Sequence, residues 1–146
     1  MAVKKATKAE LSRRGRSNRN RGKCFERDVA NALKEVYPLA RRLYGQSRKG
    51  ADAPDVGGTP FWVECGTGGT VAIREKLAQA LRDSAASEDP RWTNKPAAVF
   101  TRSRDGERIV SMRQDQFINL LKQIESAWKI LEEGDHEPKK QTRGRA

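Results

Sequence analysis

The stretch PFWVECGTGG, residues 60–69, decides how this chain is read. Pro60 to Cys65 has the composition of a short buried strand, and the glycines at 66, 68 and 69 mark a turn after it. Glu64 stands in that strand between Val63 and Cys65, two positions after Trp62. A carboxylate in such apolar company is costly to bury unless a cation or a metal sits beside it. The rest of the chain must therefore supply Glu64 with a positive partner.

On the N-terminal side, Gly57 and Gly58 form a turn signal, preceded by the strand segment Pro54-Asp55-Val56. A hairpin between these segments brings Asp55 and Glu64 side by side at one end. Upstream, LARRLYG (39–45) forms a first strand, followed by the polar loop QSRKGADA (46–53). Phe25, Val29, Ala32, Leu33 and Val36 recur at helical spacing from Gly22 onward, and Pro38 ends that helix. On the C-terminal side, a helix over 71–86 carries Ile73, Leu77, Ala80, Leu81 and Ser84 on one stripe. The loop SEDPRWTN (87–94) leads to a buried-type strand, KPAAVFTR (95–102). A hairpin turn at 104–106 then opens the strand ERIVSMR (107–113). A last helix, 114–131, would turn Phe117, Leu120, Leu121, Ile124, Trp128 and Leu131 to the core. The order is helix, three strands, helix, two strands, helix. It predicts an α/β fold, a small mixed β-sheet flanked by helices on both faces with a C-terminal helix.

The charge is unevenly spread. Of the formal net +11, residues 1–23 carry nine Lys/Arg against Glu10 alone. A basic segment ahead of a nearly balanced domain points to nucleic acid, because Lys and Arg release counterions from phosphates. Residues 1–21 are expected to be a disordered basic arm, 22–131 the folded domain and 132–146 a polar disordered tail. No stretch approaches the ~20 apolar residues of a membrane span, so a cytoplasmic protein without membrane contact is expected. Cys24 and Cys65 lie far apart without a CxxC, and His136 is the lone histidine, which argues against zinc. Both cysteines sit in apolar contexts and read as small core residues.

Three acids remain for chemistry: Glu26 at the rim of the first helix's buried face, Asp55 and Glu64. Singly, each has an ordinary use as a helix flank, a turn cap or an arginine partner. Clustered, they repel one another unless a cation lies between them, and oxygen-only donors favour Mg²⁺ or Mn²⁺. Such an ion polarises phosphates, which in a basic protein suggests phosphodiester hydrolysis.

The segments RGKCFERDVANAL, ARRLYGQSRKGADAPDV and FWVEC, in that order, resemble the PD-(D/E)xK nuclease superfamily. More narrowly, they are similar to archaeal-type and phage Holliday junction resolvases, over about residues 21–112. The resemblance implies a restriction-endonuclease-like αβββαβ core. It implies a catalytic, metal-binding set of Glu26, Asp55 and Glu64, with the Cys65 carbonyl as a further metal ligand. Arg21, Lys23, Arg41, Arg42, Ser47, Arg48 and Lys49 become DNA contacts, and the partner becomes branched DNA held by a homodimer. Arg74, near the start of the next helix, joins them as a DNA contact.

One departure stands out. The family pattern has a lysine two residues after the strand glutamate, where this chain has Gly66. Three explanations are open. A cation has moved in from Lys76, Arg74 or Lys49, with Lys76 preferred because an ammonium is nearest to the lost group. Metal alone suffices. Or the site is dead and the protein only binds DNA. A basic RNA-binding protein is the third functional alternative, although its basic arm lacks aromatics for base stacking.

Overall fold

The computed structural model describes residues 7–44, 53–68 and 71–134. It is a mixed α/β fold: a five-stranded sheet in the order β1-β2-β3-β4-β5, with three helices. In chain order the elements are α1 (Lys8–Leu33), β1 (Arg41–Arg42), β2 (Val56–Gly57), β3 (Trp62–Thr67), α2 (Ile73–Ala86), β4 (Ala97–Arg102), β5 (Arg108–Ser111) and α3 (Gln114–Gly134). The expected order and mixed sheet are both present. β1, β2 and β3 pair antiparallel, β3 and β4 run parallel with α2 as the crossover, and β4 and β5 form a hairpin.

Alternation along β3 splits the core in two. Val63 faces α1 and packs with Phe25, Val29, Ala30 and Val56, while Cys65 and Phe100 lie against them. Trp62 points to the opposite face and packs with Ala80, Trp92 and Ala97, flanked by Leu77 and Leu81 of α2. A strand buried on both faces explains the continuous apolar run that first marked it as decisive. The turn into β3 needs glycine at 58, where φ is +79° and a side chain would strike the Leu39 carbonyl.

Several expectations require correction. The basic arm is helical from Lys8, continuous with the helix expected to start at Gly22. Its start is fixed by a capping box: the Thr7 hydroxyl accepts from Glu10 N–H at 3.3 Å, and Glu10 reaches back to Thr7 N–H at 2.8 Å. Cys24 is exposed rather than core, because only the Phe25 side of that turn meets the sheet. Val36 lies beyond the helix and is exposed.

The compact body ends at Met112, and Arg113 onward forms a second unit, so the domain expected over 22–131 is divided there. In that second unit α3 runs through the start of the expected tail to Gly134. Of the residues expected on its core-facing stripe, Phe117, Leu121, Ile124, Trp128 and Leu131 are exposed and Leu120 is half-buried. Among the described residues, no helix is long and apolar enough to cross a membrane.

Candidate active site

The β2–β3 hairpin brings two of the three acids together. Val56 stands opposite Val63, so Asp55 and Glu64, the residues flanking that pair at the same end, lie next to each other. Asp55 N–H donates to the Val63 carbonyl at 2.8 Å, and Cys65 N–H donates to Asp55 Oδ2 at 2.8 Å. Residues two apart on a strand turn their backbone groups to the same edge. The Cys65 carbonyl therefore lies on the edge that carries the Asp55 carboxylate.

Glu64 is only 5% exposed. The Trp62 indole N–H donates to its Oε1 at 3.0 Å, and Lys76 Nζ lies 3.8 Å from its Oε2. Burial pushes the Glu64 carboxyl up to about 7, and the neighbouring Asp55 charge adds to the rise. The indole hydrogen bond and the Lys76 ammonium oppose it without cancelling it. Asp83 on α2 raises it further, and its own Oδ2 is buried with no hydrogen-bond partner among the described residues. Burial likewise raises Asp55, against the Cys65 N–H bond that favours the ionised form. The Cys65 thiol is pushed up by burial and then by the surrounding acids, so it stays protonated at neutral pH and offers only its carbonyl.

Lys76 occupies the place that Gly66 leaves open. A Cβ at Gly66 would sit 3.3 Å from Lys76 Cε and 2.9 Å from Val71 Cγ1. Gly66 lies on the Glu64 face of β3, two residues on, so the Lys76 stem passes over the spot where a strand lysine would begin. Of the cations expected near this site, Lys76 reaches Glu64. Arg74 is exposed and forms no ion pair among the described residues.

Glu26 stands close enough for its charge to raise both Asp55 and the Cys65 thiol, but it is already paired. Arg42 Nε–H donates to its Oε2, which engages this carboxylate with a cation, and the same guanidinium lies 4.8 Å from the centre of the Tyr44 ring. Among the described residues, no group of three or more His, Cys, Asp or Glu side chains is placed to hold a metal. What the site offers a cation is the Asp55 and Glu64 carboxylates plus the Cys65 carbonyl. Two neighbouring acids, with the Asp55 charge raising Glu64 and burial raising both, and a backbone oxygen are a donor set suited to a hard divalent ion, Mg²⁺ or Mn²⁺.

Arg21, Lys23 and Arg41 are exposed, as phosphate contacts must be. Arg42 is committed to Glu26, and Ser47, Arg48 and Lys49 lie outside the described residues. Sequence reasoning missed Trp62 as a Glu64 partner, although residues two apart on a strand share a face. It also missed Asp28, whose Oδ2 lies 3.3 Å from both Arg102 Nη1 and Arg108 Nη2 and so ties α1 to the β4–β5 hairpin.

Fold and site together define a mixed α/β domain with a buried acid pair and an attendant lysine at the end of a hairpin. No family model matches the chain, and no curated protein or solved structure matches it.

Proposed function

We propose that this protein is a metal-dependent endonuclease of the PD-(D/E)xK type that hydrolyses phosphodiester bonds in branched DNA, with four-way junctions as its main substrate. The observation that carries the reading is the Glu64–Lys76 pair beside Asp55, built across a glycine that leaves room for the lysine. Mg²⁺ or Mn²⁺, when bound, supplies Lewis-acid polarisation of the scissile phosphate and acidifies water.

The chain's own residues do the rest. Asp55 and Glu64 hold two negative oxygens at the end of the hairpin, and the Cys65 N–H fixes the Asp55 carboxylate in orientation. Lys76 places an ammonium where negative charge develops on the phosphoryl oxygens. In the hydrolysis a water oxygen bonds to phosphorus, the phosphorus–oxygen bond to the leaving sugar breaks, and that oxygen takes up a proton. A homodimer would place two such sites symmetrically on a four-way junction. The exposed apolar stripe of α3 supports self-association.

A second reading, a DNA-binding relative that does not cut, is favoured by the Arg42–Glu26 pair, which gives one acid of the expected ligand set a cation already. Purified protein incubated with a labelled four-way junction and a matched linear duplex, in Mg²⁺, Mn²⁺ or EDTA, separates the two. Metal-dependent junction cutting that is lost in Asp55→Ala and Glu64→Ala supports the nuclease. Tight junction binding with no cutting in either metal overturns it in favour of the silent relative.

A further inference from the structure

The face of α1 that packs on the sheet changes character where the sheet ends. Leu33, Val29 and Phe25 follow one another at four-residue steps and pack against β2 and β3. Continued toward the N-terminus, the same helical face carries Arg21, Asn18 and Arg14, at steps of four, three and four. Apolar contact gives way to cations with no change of face.

Opposite that cationic stretch, the parallel register of β3 and β4 ends with Thr67 beside Arg102. Gly68 N–H donates to the Arg102 carbonyl at 3.2 Å, and Ser103–Gly106 turns into β5. Helix and strand ends together enclose a cleft of about 910 Å³, walled by Asn18 and Arg21 on one side and Thr67, Gly68, Arg102 and Arg104 on the other.

Three properties identify what such a cleft takes. Its lining residues are arginines, small polar side chains and glycines, with no hydrophobic side chain among them. Small-molecule sites of this volume are mostly apolar, so an organic ligand is a poor match. Arg102 is held in place, 3.3 Å from Asp28 and with its guanidinium 4.9 Å from the Phe25 ring centre. Arg21 and Arg104, by contrast, have no carboxylate within salt-bridge reach among the described residues. Two cations without a paired carboxylate, beside a third that Asp28 and Phe25 hold in place, suit a polyanion. No aromatic side chain lines the cleft, which disfavours base stacking and single strands. Beyond the cleft, α1 continues as a basic helix from Arg21 to Lys8, about 20 Å at 1.5 Å per residue. That length spans about six base pairs of duplex.

We infer that this cleft, extended along the face of α1 that carries Arg21, Asn18 and Arg14, is a binding site for the sugar-phosphate backbone of double-stranded DNA. The inference rests on the nuclease reading only for the choice of DNA as occupant. Thr67 lies three residues past Glu64 on the same strand, about 10 Å along it, and faces α1 whereas Glu64 faces α2. A backbone seated in the cleft therefore crosses the end of β3 to reach the acid pair. The basic segment that looked like a loose tether becomes a fixed guide for one duplex arm.

The test is duplex-DNA binding by fluorescence anisotropy in EDTA, across a salt series, so that it is read without any cleavage. Arg21→Ala and Arg104→Ala are compared with Arg16→Ala, which removes the same charge from the opposite face of α1. Each cleft substitution is expected to make the salt slope shallower by about one, and the double variant to lose about tenfold in affinity. Arg16→Ala should change far less. Binding by the cleft variants indistinguishable from Arg16→Ala would overturn the site. So would a wild-type protein that fails to bind duplex DNA at low salt, or one whose cleft-dependent binding prefers double-stranded RNA. Absence of cutting in Mg²⁺, with this binding pattern intact, would sink the nuclease reading and leave the cleft standing.

Discussion

Lys76 Nζ lies 3.8 Å from Glu64 Oε2, with its Cε over the bare backbone of Gly66. A helix side chain thus delivers an ammonium to the place a strand side chain two residues past Glu64 would serve. A Cβ at 66 would crowd the lysine at 3.3 Å from its Cε and press on Val71 Cγ1 at 2.9 Å, so glycine at 66 eases the approach of Lys76. Only 31% of the lysine side chain is exposed, so its charge acts in a medium less polar than water.

Removal of that ammonium should strike turnover and spare binding. Lys76→Ala is expected to lower the single-turnover cutting rate about 10²–10³-fold, the usual scale for losing one preorganised charge stabiliser, with junction affinity nearly unchanged. A sharper test returns the lysine to the strand. Gly66→Lys alone should be poorly tolerated, because its Cβ meets Val71 Cγ1 at 2.9 Å. Combined with Val71→Ala and Lys76→Ala, it should recover activity over the Val71→Ala/Lys76→Ala background. No recovery in a folded triple variant, or a Lys76→Ala enzyme as fast as wild type, would rule out the relocated lysine.

Glu64 makes metal-free stability depend on pH in a direction opposite to most carboxylates. Its folded-state pKa is raised from 4.5 to about 7, so at intermediate pH the folded chain holds a proton that the unfolded chain has released. Below pH 4.5 both states are protonated and the group contributes no difference. Stability is lost as pH rises through the window from 4.5 to 7, and the full cost persists above it. The shift corresponds to about 3 kcal/mol. In EDTA, wild type and Glu64→Gln should melt at similar temperatures near pH 4.5, and the Gln variant should melt about 5–10 °C higher by pH 8. Parallel pH profiles in calorimetry would show that Glu64 does not carry this proton.

A divalent cation should reverse that cost. Because the ionised acid pair is the form that binds it, Mg²⁺ or Mn²⁺ is expected to raise the melting temperature at pH 8 and to have little effect at pH 5. At a hundredfold excess over Kd the stabilisation is about 2.7 kcal/mol. Asp55→Asn and Glu64→Gln should each remove the shift, whereas Glu26→Gln should retain most of it, since Arg42 already engages Glu26. Loss of the shift in Glu26→Gln as well would restore Glu26 to the ligand set.

What the sequence revealed follows the reach of its signals. The order of elements and the mixed sheet were legible because each strand carries local periodicity or turn residues, and the closeness of Asp55 and Glu64 followed from a short hairpin that sets Val56 opposite Val63. The helical arm was misread because composition outweighed the Thr7-x-x-Glu10 capping signature that opens it. Arg42 meeting Glu26, and Asp28 meeting Arg102 and Arg108, were not legible. These contacts join residues up to 80 positions apart, and only the packing of α1 on the sheet brings them together.

The helix α3 poses the remaining physical problem. Phe117, Leu121, Ile124, Trp128 and Leu131 follow at steps of four, three, four and three, the spacing of a coiled-coil seam, and each is more than 40% exposed. Most helical stability in proteins comes from packing of an amphipathic face, and along α3 that face is uncovered. A second copy of the same helix presents the matching seam, and the stripe carries no charge to oppose close approach. The wild-type protein is therefore expected to run in light scattering at twice the 16.4 kDa chain mass at micromolar concentration. Leu121→Asp with Trp128→Asp should convert it to monomer, and because α3 belongs to a separate unit the α/β body should keep its fold. The monomer should still bind a linear duplex through its cleft but lose paired, symmetric cuts on a four-way junction, producing single nicks instead. A wild-type monomer at these concentrations, or a double variant that remains dimeric, would exclude α3 as the seam.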